Sequence, residues 1–382
     1  MNKLNPVKIT ADLIKCPSVT PVEGGALVLI DELLSKAGFY CTRIDRNGIS
    51  NLFARWGDPE SGSTFCFSGH TDVVPPGDIN SWSFHPFSGD EKAGYLYGRG
   101  ATDMKSAVAA FISAAVNYVE TSPPTGSIVL AITGDEEGEA KDGTLAILKW
   151  MEENNERINH CLVGEPTSKN LLGDTLKIGR RGSLTAKFTV IGLQGHVAYP
   201  EKAINPIPSL TKLLLELSKK PLDKGSTHFD PSSLVITTID TGNSTNNVIP
   251  EKTNATINIR FNNLHSAKSL TAWLRRKANK VSKDFGVQIK IEESISAQPF
   301  ICEPGKLSTL VVDAIKTELK IDPILSTSGG TSDARFIQKY CPVVEFGLVG
   351  TSMHKTDEHV EIKQIHNLER VYYKVLKEYF KN

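Results

Sequence analysis

Residues 64–70, TFCFSGH, form a short apolar run that ends in polar residues and leads directly into Thr71 and Asp72. Two later runs, SIVLAITGDEE at 127–137 and HCLVGEP at 160–166, have the same form. Short apolar runs bounded by turn signals are typical of buried strands. Because a helical pattern lies between the first two runs, the order predicts a layered α/β domain over about the first 180 residues.

The helical pattern starts just after Asp103. Its apolar residues recur at helical spacing on one face, namely Met104, Ala107, Val108, Phe111, Ala114, Ala115 and Tyr118. Asp103 is therefore expected at the start of the helix, where a short polar side chain is favoured.

A different pattern occupies residues 182–294. Its segments are an alternating run (183–192), a helical stretch (205–220), two more alternating runs (232–240 and 254–262), a second helical stretch (266–286) and VQIKIEES (287–294). The β-α-β-β-α-β order is that of a ferredoxin-like sandwich. Since α/β character returns afterwards, residues 182–294 are expected to be inserted into a domain formed by 1–181 and 295–382.

Composition narrows the class of function. Lys plus Arg and Asp plus Glu both number 43, and this balance argues against a nucleic-acid partner. We find no signal-peptide pattern and no apolar run of membrane-spanning length. The 6 cysteines form no C-x-x-C pair, which is typical of reduced thiols. A cytoplasmic protein without membrane contact is expected.

Residues that can bind metals or transfer protons follow the apolar runs. Sites in open α/β sheets form at the carboxyl ends of strands, so these residues are expected to converge. They are His70, Asp72, Asp103, Asp135, Glu136, Glu137, Glu165 and, after the apolar run at 342–350, His354.

Two histidines and several carboxylates, with no cysteine among them, suit zinc in a mixed nitrogen and oxygen environment. A carboxylate that bridges two metals leaves two further ligands for each ion. Asp103 fits as the bridge, with His70 and Glu165 on one ion and Glu137 and His354 on the other.

Two more carboxylates then have roles beside the metals. Glu136 is free to act as general base, and Asp72 is placed to accept the second imidazole N–H of His70. Other interpretations remain open at this point. Residues 135–137 could form a solvated turn, Asp103 could be a helix cap, and Gly98-Arg99-Gly100 has part of a phosphate-loop pattern.

The chain resembles the succinyl-diaminopimelate desuccinylase family, within the wider group of dizinc aminoacylases and carboxypeptidases. The matching segments run from end to end: FSGHTDVVPPGD (67–78), LYGRGATDMK (96–105), TGDEEGEAKDGT (133–144), VGEPTS (163–168), KIGRRGSL (177–184), QGHVAYP (194–200), NPIP (205–208), NVIP (247–250), INIRF (257–261), SGGTSDARF (328–336) and MHKTDEHV (353–360). Ser106, where a glycine is common, and the details of MHKTDE depart from the pattern.

The resemblance implies a mixed-sheet α/β/α zinc-hydrolase domain with an inserted ferredoxin-like α+β domain that serves for dimerisation and as a lid. Two Zn²⁺ per subunit are implied, for which Co²⁺ can substitute. The residues that match the family's zinc ligands are His70, Asp103, Glu137, Glu165 and His354. Glu136 matches its base and Asp72 the partner of His70. His196 matches a group that reaches the active site of the other subunit of a homodimer.

The substrate that the resemblance implies carries three carboxylates. Arg180 and Arg260 suit paired hydrogen bonds to carboxylate, and Lys177 is a further candidate. The loop of Gly329, Gly330, Thr331 and Ser332 can present backbone N–H groups. Asn246 is a candidate to help His196 hold the oxyanion.

Three other functions stay open. Acetylornithine deacetylase and other N-acyl amino acid amidohydrolases would share the same metal residues. A non-catalytic dimer could keep the fold and bind only a ligand or metal. A nucleotide-binding enzyme would need a complete glycine-rich loop, which this sequence lacks.

Overall fold

The computed structural model describes residues 3–381. Its α-helices are, in chain order, α1 (Pro6–Ile14), α2 (Ala26–Lys36), α3 (Ser106–Thr121), α4 (Thr144–Glu153), α5 (Pro206–Ser218), α6 (Ala267–Phe285), α7 (Lys306–Leu319), α8 (Ala334–Ile337) and α9 (Ile362–Tyr379). Its strands are β1 (Tyr40–Arg43), β2 (Leu52–Trp56), β3 (Thr64–His70), β4 (Asp90–Lys92), β5 (Tyr95–Tyr97), β6 (Ser127–Thr133), β7 (His160–Val163), β8 (Thr175–Lys177), β9 (Gly179–Arg180), β10 (Gly182–Ile191), β11 (Gly195–His196), β12 (Ser233–Asp240), β13 (Val248–Ile249), β14 (Lys252–Phe261), β15 (Gln288–Ala297), β16 (Phe300–Ile301), β17 (Ile324–Ser326), β18 (Val343–Glu345) and β19 (His359–Glu361).

The chain divides into two compact units. The first contains residues up to Ile178, then Cys302–Ser326, and then the chain from Ser332 onward, while the second contains Gly179–Ile301 and Thr327–Thr331. Sequence alone placed the insertion at 182–294, so the second unit is longer at both ends. The short strands β9 and β16 account for this difference, because they pair with each other as the second unit begins and ends.

An 8-stranded mixed sheet forms the centre of the first unit, in the order β1-β2-β6-β3-β7-β18-β8-β17. Strand β3 lies parallel to both β6 and β7, and all of its residues are buried. Parallel strands that are buried on both faces are expected to be continuously apolar. The three apolar runs that predicted the α/β domain are therefore neighbouring strands, and the α/β fold class is confirmed.

Helix α3 differs from its prediction in two ways. It begins at Ser106, and each of its residues from Ser106 to Val119 is buried, so it has no exposed face. The cause is packing on several sides, since α1, α9 and β3 all contact it. Asp103 is not the cap of this helix but lies in the irregular turn Ala101–Lys105 that precedes it.

The second unit has the expected β-α-β-β-α-β order in its main elements, with an antiparallel sheet in the order β12-β14-β10-β15. The alternating residues of β10 and β14 face α5 and α6 in a single apolar core that includes Phe188, Leu213, Ile257 and Leu274. Strand β12 is an edge of this sheet, and most of its residues are exposed.

Among residues 3–381, we find no helix that is both long enough and apolar enough to cross a membrane.

Asp223 links three segments of the second unit. Its carboxylate accepts hydrogen bonds from the main-chain N–H groups of Gly225 (2.7 Å) and Ser232 (3.2 Å) and from the side-chain amide of Asn262 (2.6 Å). Burial raises the pKa of Asp223, but these hydrogen bonds outweigh it and lower the pKa to about 2. The ionised carboxylate thus stabilises the folded unit.

We expect Asp223→Ala to lower the free energy of unfolding by about 1–3 kcal/mol at neutral pH, because buried donors lose their acceptor. A carboxylate whose pKa is depressed on folding stabilises the folded state fully when the pH is above its ordinary pKa of 3.8. This stabilisation is lost as the pH falls from there to about 2. Urea unfolding at neutral pH and near pH 3, followed by circular dichroism, measures both effects. The exposed Asp284 on α6 supplies the control, Asp284→Ala. An equal loss at the two pH values would contradict the assignment.

Candidate active site

His70 is the last residue of β3, and its imidazole is buried. Its Nδ1 lies 2.9 Å from the main-chain oxygen of Asp72, which directs Nε2 toward a group of carboxylates. Nε2 is 3.2 Å from Asp103 Oδ1 and 4.0 Å from Glu165 Oε1. Sequence reasoning expected these three residues to converge, and the structure brings them together.

Asp103 is placed by an irregular stretch of backbone. Gly100 begins the turn with φ +85°, and a Cβ there would lie 2.7 Å from Val73 Cγ1, so only glycine fits. Asp103 then has φ −122° and ψ 97°, outside the helical region. As a result its carboxylate lies between two histidines, with Oδ1 3.2 Å from His70 Nε2 and Oδ2 3.2 Å from His354 Nε2.

His354 completes a second group on the other side of Asp103. Its Nε2 is 2.8 Å from Glu137 Oε1. The potential ligand atoms of His70, Asp103 and Glu165 lie within 4.8 Å of one another, and so do those of Asp103, Glu137 and His354. Two such triads that share one carboxylate fit a pair of divalent cations bridged by Asp103, and their nitrogen and oxygen donors are those that zinc accepts.

Neighbouring carboxylates raise the pKa of both imidazoles. Hydrogen bonds from His354 to Asp103 and Glu137 raise the pKa of His354 to about 10. Burial lowers the pKa of His70, but its hydrogen bond to Asp103 and the nearby negative charges raise it well above its usual range. The pKa of Asp103 is lowered by the same two histidines, against the effect of its burial. The site is therefore built to hold positive charge.

Glu136 belongs to neither triad that contains Asp103, but it forms a third group of potential ligands with His70 and Glu137. Burial and the neighbouring charge of Glu165 raise the pKa of Glu136 well above its usual range. A carboxyl group whose pKa is moved toward neutrality is suited to accept and return a proton.

Asp72 has a different role from the one expected. His70 Nδ1 is 3.6 Å from the Asp72 carboxylate, and its nearest acceptor is the main-chain oxygen of the same residue. The carboxylate instead accepts from the N–H groups of Glu136 (3.3 Å) and Glu137 (3.0 Å) and from the hydroxyl of Thr20 (2.7 Å). It thereby fixes the backbone that carries these two glutamates. Thr20 lies in none of the sequence motifs, so it could not be predicted as part of the site.

Two residues of the predicted substrate site lie in the first unit. The Lys177 ammonium group donates to Ser326 Oγ at 3.3 Å. The Ser332 hydroxyl is buried and donates to Glu345 Oε1 at 2.7 Å, so this side chain is directed into the protein interior.

The remaining predicted residues lie in the second unit. Arg180 is buried and donates to the main-chain oxygen of Gly330 at 3.3 Å, next to Thr331. Burial and the charge of Arg181 lower the pKa of Arg260, which is half-buried on β14.

His196 and Asn246 are both exposed residues of the second unit. His196 pairs with Val248 in the small antiparallel ribbon of β11 and β13, and Asn246 lies two residues before Val248. Nδ1 of His196 accepts from the N–H of Ala198 at 3.0 Å, which leaves Nε2 as the outward-facing nitrogen.

Comparison with known families identifies the class of protein. The model of peptidase family M20/M25/M40 matches residues 66–378, a span that contains both triads. The chain belongs to peptidase family M20/M25/M40. The M20 family relatives include the succinyl-diaminopimelate desuccinylase of Ruegeria pomeroyi, 55% identical over 99% of both chains. The protein of the same name from Dinoroseobacter shibae is 57% identical and covers 98% of this chain and 99% of its own.

Solved structures share the M20 fold at much lower identity. Aminopeptidase PepT from Bacillus cereus has a TM-score of 0.81 and 18% identity, with 99% of each chain covered. The Bacillus subtilis YXEP protein, described as a dinuclear metal-binding peptidase, has a TM-score of 0.75 and 16% identity, with 98% of each chain covered. This M20 chain thus shares its fold with these two peptidases.

We expect the metal content of this M20 protein to follow the two triads. After chelator treatment and reloading with Zn²⁺, His354→Ala should retain about one equivalent where the wild type retains two, because one triad keeps all its ligands. Asp103→Asn should weaken both equivalents, since the bridge contributes to each. Elemental analysis after gel filtration gives the stoichiometry. His366→Ala, at an exposed position on α9, is the control; equal metal loss from this variant would contradict the assignment.

Proposed function

We propose that this chain is a dizinc amidohydrolase that cleaves N-succinyl-L,L-2,6-diaminopimelate to succinate and L,L-2,6-diaminopimelate, a step of lysine and diaminopimelate biosynthesis. The observation that carries the proposal is the pair of triads bridged by Asp103, with Glu136 beside them, in an M20 chain. The substrate is supported by full-length relatives at 55% and 57% identity that bear the desuccinylase name.

In this proposal one Zn²⁺ is held by His70, Asp103 and Glu165, and the other by Asp103, Glu137 and His354. When bound, such ions polarise a carbonyl oxygen and lower the pKa of water. Cobalt can replace zinc because the same nitrogen and oxygen donors accept both metals. Support comes from the distances of 2.8–4.0 Å between the ligand atoms of each histidine and its carboxylates.

Glu136 is proposed as the group that moves the proton. Its carboxylate takes the proton of the attacking water and passes it to the nitrogen of the leaving amine. Two features support this role: its raised pKa, caused by burial and by Glu165, and its position next to Glu137 beside the two triads that share Asp103. Asp72 keeps Glu136 in place through the main-chain N–H.

Cationic and backbone groups are proposed to recognise the three carboxylates of the substrate. Arg180 and Arg260 would form paired hydrogen bonds with carboxylate, and Lys177 would add a point charge. Backbone N–H groups of Gly330, Thr331 and Ser332 would bind another carboxylate, and His196 and Asn246 the oxyanion. The exposure of His196 on the ribbon, and of Asn246 two residues before the ribbon strand β13, supports the last assignment.

We propose a homodimer that forms through the second unit and in which His196 acts on the partner's active site. The edge strand β12 supports this arrangement, because Val235 and Ile239 are 55% and 61% exposed there. An apolar edge strand is a natural surface for pairing with a second chain.

A cytoplasmic location is proposed from the thiols. All 6 cysteines are free, and Cys66 and Cys161 are register neighbours on β3 and β7 without being bonded. Reduced thiols of this kind are typical of proteins in reducing compartments.

Side-by-side assays of the zinc-loaded protein with N-succinyl-L,L-diaminopimelate and N-acetylornithine test the reaction. We expect strong preference for the succinyl substrate, and a loss of at least about 100-fold in kcat for Glu136→Gln with two zinc ions still bound, because only the proton acceptor is removed. The exposed Glu139→Gln, in the same loop, is the control. Preference for N-acetylornithine would refute the proposed substrate. Full activity of the Glu136→Gln variant would refute the assignment of Glu136 as the base.

Mixing two inactive variants tests whether His196 acts in the partner subunit. A mixed dimer of Glu136→Gln and His196→Ala chains has one active site in which both groups are intact if His196 acts in trans. Random exchange of subunits should then restore about a quarter of wild-type activity, since half the dimers are mixed and each has one good site of two. No restoration, with subunit exchange verified by mass-tagged chains, would show that His196 does not act in trans.

A further inference from the structure

Glu358 and Arg99 form a buried ion pair between the segments that carry His354 and Asp103. The two side chains are 0% and 3% exposed, and Arg99 Nη1 donates to Glu358 Oε2 at 2.7 Å. The guanidinium group also donates to the main-chain oxygen of Lys355 at 3.2 Å and lies 5.1 Å from the ring of Trp82. Arg99 in the Gly98-Arg99-Gly100 motif therefore pairs with a carboxylate inside the protein, and a phosphate-binding role is not needed to explain it.

The other carboxylate oxygen of Glu358 holds the backbone that places Asp103. Oε1 accepts from the N–H of Thr102 at 2.8 Å and from the N–H of Asp103 itself at 3.2 Å. Because the turn Ala101–Lys105 departs from helical geometry at Asp103, the N–H groups of Thr102 and Asp103 need an acceptor from outside the turn. Glu358 supplies the acceptor that this irregular turn requires.

Further hydrogen bonds join the same two segments. The Thr102 hydroxyl lies 2.9 Å from Ser352 Oγ and 2.9 Å from the main-chain oxygen of His359. The N–H of Gly98 donates to the main-chain oxygen of Glu358 at 2.8 Å. Residues on both sides of His354 are therefore fixed to the Asp103 segment.

The two metal triads differ in how much support they receive from elsewhere. His70 ends a fully buried strand, and Glu165 is buried. By contrast, His354 has a side chain that is 44% exposed and a left-handed backbone with φ 61°, in a loop whose residues 353–356 are exposed. A non-glycine residue holds this conformation only when its surroundings fix it.

We propose that Glu358, paired with Arg99, is a positioning residue. It sets the separation of His354 and Asp103 and so strengthens the binding of the ion held by Asp103, Glu137 and His354. It touches neither the substrate nor the ions, and it acts through the backbone of Asp103 and the anchoring of the His354 loop. This inference rests on the proposed dizinc function. Its consequence is asymmetric. Loss of Glu358 weakens mainly the ion held by Glu137 and His354, because this triad loses support at both Asp103 and the exposed His354 loop. The other ion keeps two ligands, His70 and Glu165, that are buried independently of Glu358.

Competition titration of the metal-free full-length protein with Zn²⁺ and a chromophoric chelator tests this. We expect two tight equivalents for the wild type. Glu358→Gln should keep one of them and bind the second about 10- to 100-fold more weakly, the usual cost of removing a supporting group around a metal. Hydrolysis by this variant should return toward the wild-type kcat when Zn²⁺ is added in excess.

Glu369→Gln is the matched control, because Glu369 is also a buried carboxylate that accepts hydrogen bonds, from Ser113 (2.8 Å) and Asn117 (3.0 Å), away from the triads. It should bind both ions as the wild type does. If Glu358→Gln does not fold, Glu358→Asp keeps the charge but shortens the reach, and it should show the same selective weakening of one ion.

The outcomes separate the two levels of the proposal. If the wild type binds two ions and hydrolyses the succinyl substrate, but Glu358→Gln and Glu358→Asp bind both ions with wild-type affinity, the positioning role is wrong and the proposed function stands. Equal weakening of both ions in these variants, or the same change in Glu369→Gln, would also overturn it. A wild type that does not bind two ions refutes the proposed function and this inference with it.

Discussion

The carboxylate of Asp103, 3.2 Å from an imidazole on each side, is the constraint on which the first unit depends. Carboxylates gathered at one edge of a sheet repel one another and resist burial, so such a cluster is stable only when positive charge is added. The raised pKa values of His70 and His354 and the lowered pKa of Asp103 show that the cluster favours added positive charge. Such a cluster suits divalent cations, as the proposed function requires.

Placing that carboxylate requires backbone that regular structure does not provide. The chain passes through a left-handed glycine at Gly100, leaves helical geometry at Asp103, and only then enters α3. The N–H groups of Thr102 and Asp103 in this irregular segment donate to Glu358, and Arg99 balances the charge of Glu358. Departures from local preference are expected where a protein uses its backbone for function.

Much of the fold was predictable because hydrophobic periodicity is local. The apolar run at 64–70 is strand β3, and the six alternating and helical stretches after residue 182 are the main elements of the second unit. Errors came where packing from a distant part of the chain decides. The run at 342–350 forms a strand only over Val343–Glu345, and α3 is buried on all faces because α1 and α9 cover the side left over by the sheet.

The sequence by itself determined the class of chemistry. Histidines and carboxylates at the ends of successive apolar runs, with no cysteine among them, indicated a metal site of nitrogen and oxygen donors, and the strand order indicated that they would meet. Only the tertiary structure decided which atoms meet. His70 Nδ1 contacts the main-chain oxygen of Asp72 rather than its carboxylate, and Arg99 pairs with Glu358. The physical reason is that hydrogen bonds between residues far apart in the chain are set by packing, and no local period in the sequence records them.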